Sequence, residues 1–241
     1  MTEIDDVKPI MYGVLSGTSM IDFDGHLSKV FFTAGCNFRC GFCHNSEMIH
    51  AAQGSLSWEE IASLLEQARE EWVDAVVISG GEPTLHRDLP RVVSWFKEQG
   101  YRVKLDTNGS NPGRLGAVLD IIDYVAMDYK ASTSAYTSIA GVQVDTQAIT
   151  ESVHMLRERA SGRYEIRTTV IRPLHDEEEM EKIADELDGI EKYILQPFVP
   201  QENLYDPCFT ELERTDAGYL EKAKEIVEPR IGSARIRGMG Q

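Results

Sequence analysis

Residues 75–83 read Ala75-Val76-Val77-Ile78-Ser79-Gly80-Gly81-Glu82-Pro83. The first five form a short, nearly all-apolar strand, the pattern expected where both faces of a parallel sheet are covered. Upstream, residues 57–70 read as a helix. Ser57 and Glu60 have capping-box spacing, and Ile61, Leu64, Leu65, Ala68 and Trp72 fall on one face. Downstream, Leu89, Val92, Val93 and Phe96 mark a second helix, stopped by Gly100.

The same alternation runs along the chain. Residues 29–34, 101–106, 124–128, 164–171 and 193–196 read as further strands, with a short one near Ile236. Between them, Asn111-Pro112 opens a short helix, residues 145–160 carry an Ile149–Val153–Leu156–Ala160 stripe, and Asp176 with Glu179 caps another helix. A last helix covers about residues 215–227. Repeated βα units predict a parallel sheet with helices outside it. About six units are too few for a closed eight-stranded barrel, so the expected fold is α/β, a partial, open TIM-like barrel. One domain is expected over residues 1–241, its core at about 16–200, with the final helix and strand in 201–241. In such folds the site lies at the carboxyl ends of the strands. That is where Gly80-Gly81-Glu82-Pro83, Asp106-Thr107-Asn108-Gly109, Asp128-Tyr129-Lys130 and Gln196-Pro197-Phe198 fall.

Composition removes several classes of function. The net charge of −16 argues against a nucleic-acid binder. No apolar run approaches the roughly 20 residues of a membrane span. Residues 1–10 carry acids and no apolar core, unlike a signal peptide. The expected location is therefore the cytoplasm, where thiols stay reduced. Three of the four cysteines crowd into Cys36-Asn37-Phe38-Arg39-Cys40-Gly41-Phe42-Cys43, just after the strand at 29–34. The fourth, Cys208, lies far off and reads as a partly buried thiol.

Three thiolates on one loop suit a soft metal centre and leave it one ligand short. A [4Fe–4S] cluster ordinarily takes four cysteines, so the spacing suggests an iron left open for a small molecule. Competing readings exist. Cys40-Gly41-Phe42-Cys43-His44 matches a haem-attachment pattern, and Cys40 with Cys43 matches a redox pair, but each leaves Cys36 idle. Structural zinc on Cys36, Cys40, Cys43 and His44 would leave the polar motifs on the other strands unexplained.

The CxxxCxxC spacing resembles that of the radical S-adenosylmethionine (SAM) superfamily. Ser16-Gly17-Thr18, Asp24-Gly25-His26, Gly35, Cys43-His44-Asn45, the Gly-Gly-Glu motif and Asp-Thr-Asn-Gly resemble the glycyl-radical-enzyme activating enzymes. The likeness runs from about residue 16 to 198. It implies that Cys36, Cys40 and Cys43 bind three irons, and that SAM chelates the fourth. It implies SAM contacts from Phe42, beside the adenine, and from Gly80, Gly81 and Glu82, the last pairing with the methionyl ammonium. Asp106, Thr107 and Asn108 would meet the ligand or a monovalent cation beside its carboxylate. Asp128 and Lys130 match a DxK motif, and Lys130 could pair with a carboxylate. Arg167, charged within a strand, calls for a ligand or carboxylate partner. Gln196 stands where the family can carry a histidine. His44 belongs with this cofactor-binding set by position, although hydrogen bonding suits it and His175 better than acid–base chemistry.

The implied activity is one-electron cleavage of SAM to a 5′-deoxyadenosyl radical, which removes a glycine Cα hydrogen in a partner enzyme. The resemblance leans to the anaerobic ribonucleotide reductase activases, with flavodoxin or ferredoxin as electron donor. No catalytic side chain is required beyond those that hold cluster and SAM. A radical SAM enzyme acting on a small molecule is the alternative.

Overall fold

Ser57 starts the first long helix as the sequence requires. Its side chain accepts from the Glu60 amide, its own amide donates to Glu60 Oε2 at 2.7 Å, and the helix α1 runs Trp58–Glu70. The computed structural model describes residues 4 and 6–239. Residues 1–3 and 5, part of the N-terminal stretch considered above, and 240–241 lie outside the described residues.

Eight strands follow one another in the sheet in chain order: β1 Met11–Val14, β2 Ser28–Thr33, β3 Ala75–Gly80, β4 Arg102–Thr107, β5 Tyr124–Asp128, β6 Tyr164–Val170, β7 Tyr193–Pro197 and β8 Ala234–Ile236. The pairs β2–β3, β3–β4, β6–β7 and β7–β8 are parallel, and β1 lies antiparallel on β2. The remaining helices are α2 Leu89–Glu98, α3 Pro112–Val118, α4 Tyr136–Ala140, α5 Thr146–Arg159, α6 Glu177–Glu186 and α7 Ala217–Val227. The open, mostly parallel α/β sheet expected from the sequence is present. It has two strands beyond the six repeats: β8, expected as a short strand near Ile236, and β1, whose four residues carry no clear period.

Two compact units are distinguished. The first takes in residues up to Asn37, Glu47–Thr107 and Asn111–Val125. Its core sets Phe23, Val30, Ala75 and Val77 together with Phe32 and Tyr124. Ring contacts Phe31–Phe96 and Trp58–Trp95, both at 5.5 Å, bring in β2, α1 and α2. The second takes in Phe38–Ser46, Asn108–Ser110 and the chain from Ala126 onward. There α5 buries Ile149, Val153 and Leu156, α6 buries Met180, Ile183 and Ala184, and α7 buries Leu220, Ala223 and Val227.

Two local expectations are corrected. Trp72 does not join the buried stripe of α1, and Leu64 is only half-buried. The amides of Trp72 and Val73 bond back to the carbonyls of Arg69 and Ala68, closing a Schellman turn. This puts Trp72 at the left-handed position, φ +61°, and leaves the residue 85% exposed. At α6, Asp176 caps the Glu179 amide as expected, but Glu179 does not reciprocate. Its carboxylate turns inward to accept from the Ser132 amide at 2.6 Å and hydroxyl at 2.9 Å.

The two ends of α1 should respond to mutation with opposite signs. Ser57→Ala removes a cap and should cost about 1 kcal/mol. Trp72→Gly relieves a side chain from the left-handed region and should stabilise by about 1 kcal/mol. Urea unfolding of both variants measures the two effects.

Candidate functional site

In the first unit, two glycines bring β3 against the start of the cysteine loop. A Cβ on Gly80, at φ +109°, would lie 2.3 Å from the Thr33 amide nitrogen, and one on Gly81 would lie 1.9 Å from the Gly35 carbonyl oxygen. The Gly81 amide donates to Thr33, and the Glu82 amide donates to Gly35 at 2.8 Å. The close approach made here is thus of backbone to backbone. The Cys36 amide donates to Ile49 from the other side. His86 Nε2 donates to the Ala34 carbonyl at 2.8 Å, and burial lowers the imidazole's pKa.

Glu82 is fully buried, and its Oε1 collects three hydrogen bonds: from the Thr84 amide, the Thr84 hydroxyl and the Thr107 hydroxyl, at 2.9, 2.5 and 2.7 Å. Such a carboxylate is fixed in direction, and Thr107 is engaged with it. On β4, side chains alternate between faces. Val103 and Leu105 share one, Lys104 and Asp106 the other. The Lys104 ammonium lies 3.0 Å from Asp106 Oδ1 and also donates to the Asp22 carbonyl, while Ser79 Oγ donates to Asp106 Oδ2 at 3.2 Å. Sequence reading passed over Lys104 as one residue of a strand. Its signal was a charge at an inward position of a buried strand.

In the second unit, Cys40 is buried, and Cys43 is half-buried on the same turn, its amide donating to the Cys40 carbonyl. Burial pushes the Cys40 thiol up to about 11, against the pull of the Lys130 ammonium. Burial also raises Cys43, opposed by the Asn45 backbone. Lys130 lies 5.9 Å from the centre of the Phe42 ring and 3.1 Å from Asp128 Oδ2. Burial would lower the Lys130 pKa, but Asp128 and Cys40 hold it well above the ordinary lysine range. Arg167 supplies the second partner of Asp128, its Nε donating to Oδ1 at 2.9 Å. Burial would raise the Asp128 carboxyl, yet Arg167 and Lys130 together hold it down to about 2.

Residues far along the chain shape this turn. The Arg39 amide donates to Ala140, and Gly141, at φ +69°, could carry no Cβ without meeting the Arg39 carbonyl at 2.3 Å. The Phe209 ring rests on Gly41, where a Cβ would lie 2.3 Å from it, and stands 6.0 Å from the Phe42 ring. The Asp206 amide donates to the Gly41 carbonyl, and His44 Nε2 donates to the Val199 carbonyl at 3.0 Å. Gly141 and Phe209 carried no sequence signal, because only the fold brings them to residues 39–42.

The remaining expected residues are held as follows. Asn108 accepts from the Ser110 amide at 2.9 Å, building its own turn, and Gln196 is half-buried opposite Thr169. His175 is buried, with Nδ1 accepting from the Ile171 amide and Nε2 donating to the Lys130 carbonyl. Cys208 is exposed rather than partly buried, because it lies on the short 3₁₀ turn Pro207–Glu211, which directs Phe209 toward Gly41 instead.

No cysteine is in a disulfide. Among the described residues, no three His, Cys, Asp or Glu side chains are drawn together as a ready metal-binding group. Thiolate ligands converge when a metal compensates their charge. The donor set fits an iron–sulfur cluster chemically: three thiols on eight residues, with Lys130 favouring the Cys40 thiolate. Among the described residues no helix is long and apolar enough to cross a membrane.

Comparison with known proteins gives the class. The Radical SAM superfamily profile matches residues 30–187, and the chain belongs to that superfamily. It is therefore an enzyme of the kind that works with a [4Fe–4S] cluster and SAM. A Methanocaldococcus jannaschii protein, named provisionally as a glycyl-radical enzyme activating enzyme, is 31% identical over 96% of this chain and 97% of its own length. Two solved structures share the fold. A domain of the pyruvate-formate lyase-activating enzyme from Bacteroides vulgatus aligns with TM-score 0.53 and 18% identity, covering 68% of this chain and 99% of its own. Streptococcus suis SuiB bound to SAM aligns with TM-score 0.64 and 16% identity, over 88% of this chain and 50% of its own.

The Asp128 ion pairs define a pH response. Because the folded pKa lies below the ordinary value of 3.8, the stabilisation is complete above about pH 4 and is lost as pH falls toward 2. The urea midpoint of the wild type should drop across that window. In Asp128→Asn that part of the drop should be missing.

Proposed function

We propose that this chain is a glycyl-radical enzyme activating enzyme whose substrate is a glycine residue in a partner protein. The observation that carries this reading is the whole-length likeness to the Methanocaldococcus activating-enzyme relative, which extends well beyond the cysteine motif. In this reading Cys36, Cys40 and Cys43 hold the cluster. When bound, cluster and SAM supply a one-electron cleavage that yields a 5′-deoxyadenosyl radical for hydrogen abstraction.

The protein's own residues bind and orient. Phe42, with the Phe209 ring and the Lys130 ammonium as neighbours, offers a ring for the adenine. Glu82, with Oε1 pinned by Thr84 and Thr107, presents a directed carboxylate for the methionyl ammonium. Gly80 and Gly81 act indirectly, by fixing the backbone from which Cys36 and Glu82 depart. Lys130 and Arg167, ordered on Asp128, offer positive charge to a carboxylate. Asp106 and Asn108 belong to the same ligand set, and so do Gln196 and His44. The electron comes from an external donor of the flavodoxin or ferredoxin type.

The test is anaerobic reconstitution with iron and sulfide, then incubation with SAM, dithionite and candidate glycyl-radical enzymes, anaerobic ribonucleotide reductase among them. Electron paramagnetic resonance should show a protein-centred glycyl doublet with one partner. No doublet with any partner, despite SAM cleavage, would sink the activase reading in favour of a small-molecule substrate. Cys40→Ala should lose bound iron and abolish 5′-deoxyadenosine formation, and retained cleavage would remove Cys40 from the ligand set.

A further inference from the structure

The family resemblance allows a monovalent cation beside Asp106 and Thr107. We infer that the tethered ammonium of Lys104 takes the place of a dissociable cation at Asp106, so that ligand binding here is independent of sodium or potassium. The inference rests on the proposed function only in naming SAM as the ligand that Asp106 serves.

A carboxylate draws a hard cation to a set of oxygen donors only as far as its own charge is left unmatched. Asp106 Oδ2 accepts from the Ser79 hydroxyl at 3.2 Å, and Oδ1 lies 3.0 Å from Lys104 Nζ, an ion contact that matches its charge without a hydrogen bond. Lys104 cannot easily withdraw, because its side chain is 2% exposed and its ammonium is also bonded to the Asp22 carbonyl. Its backbone is locked in β4, with Lys104 opposite Val77 of β3. A sodium ion at Asp106 would stand beside a positive charge in a poorly screened interior, where like charges repel strongly. The ammonium carries the same unit charge that the ion would bring, but it cannot be diluted away. Asp128 is likewise matched, by Arg167 and Lys130, within its own unit.

The experiment uses the anaerobically reconstituted protein in sodium, potassium or choline chloride at one ionic strength. SAM affinity is measured by equilibrium dialysis, and sodium binding by the ²³Na line width. Wild-type affinity should be the same in all three salts, with no saturable sodium broadening. Affinity about tenfold weaker in choline, or saturable broadening that Asp106→Asn abolishes, would overturn the inference. Lys104→Met, which keeps the stem and removes the charge, should acquire both a sodium dependence of about tenfold and saturable broadening. A folded Lys104→Met without either would count against the substitution of ion by ammonium. Should that variant fail to fold, the wild-type measurements alone decide. If SAM fails to bind in every salt, the proposed function falls, and the sodium line width still judges Lys104.

Discussion

The contact of one backbone with another at Gly80 and Gly81 is the constraint on which the candidate residues of the first unit depend. β2 and β3 run parallel with Thr33 opposite Gly80. Just beyond that pair, the chain leaving β3 lies so close to Gly35 that no side chain fits between them. The departure points of Cys36 and Glu82 are therefore set by the hydrogen bond from the Glu82 amide to Gly35. Glu82 then reaches Thr107 at the end of β4. One short turn thus ties the ends of three neighbouring strands, and main-chain geometry fixes it before any ligand is considered.

The second organising feature is charge matching inside the sheet. Interior charges are costly unless paired, and three acids on the strands have cationic neighbours. Asp106 has Lys104, and Asp128 has Arg167 and Lys130. Glu165 has Lys192 and Arg237. The cations come from the same strand (Lys104), from the next strand (Arg167), or from residues just outside a strand (Lys130, Lys192 and Arg237). The polar interior is thereby assembled from local sheet geometry, and at Asp128 the two cations hold the carboxyl down to about 2.

Much of this was legible in the sequence, for reasons that differ by residue. Strands such as Ala75–Gly80 announce themselves because burial on both faces leaves an apolar run, here Ala75 to Ile78. The start of α1 is written in a capping box that needs only two side chains three residues apart. The crowding of Cys36, Cys40 and Cys43 is itself a property of the sequence. What could not be read depends on tertiary neighbours. Trp72 falls on the apolar period of α1, but the helix stops before it and the turn sends it outward. Glu179 has capping spacing, yet Ser132 competes for it and wins with two hydrogen bonds. Lys104 looks like an ordinary strand residue until Asp106 and the Asp22 carbonyl are seen around its ammonium. Phe209 and Gly141 are silent because nothing local marks a residue that meets the cysteine turn only after folding.

The ties from residues 199–209 to the cysteine turn also bear on how the molecule is made. His44 and Ser46 bond to Val199 and Asn203 across sequence separations of 155 and 157 residues, and Phe209 closes on Gly41 from as far away. Contacts of such long range form late, after the chain entropy of a large loop has been overcome. On the ribosome, the turn carrying Cys40 and Cys43 emerges early and stays without these partners until most of the polypeptide has followed it. Those thiols are therefore left unpacked for most of synthesis, and the cell must keep them reduced or chaperoned over that interval.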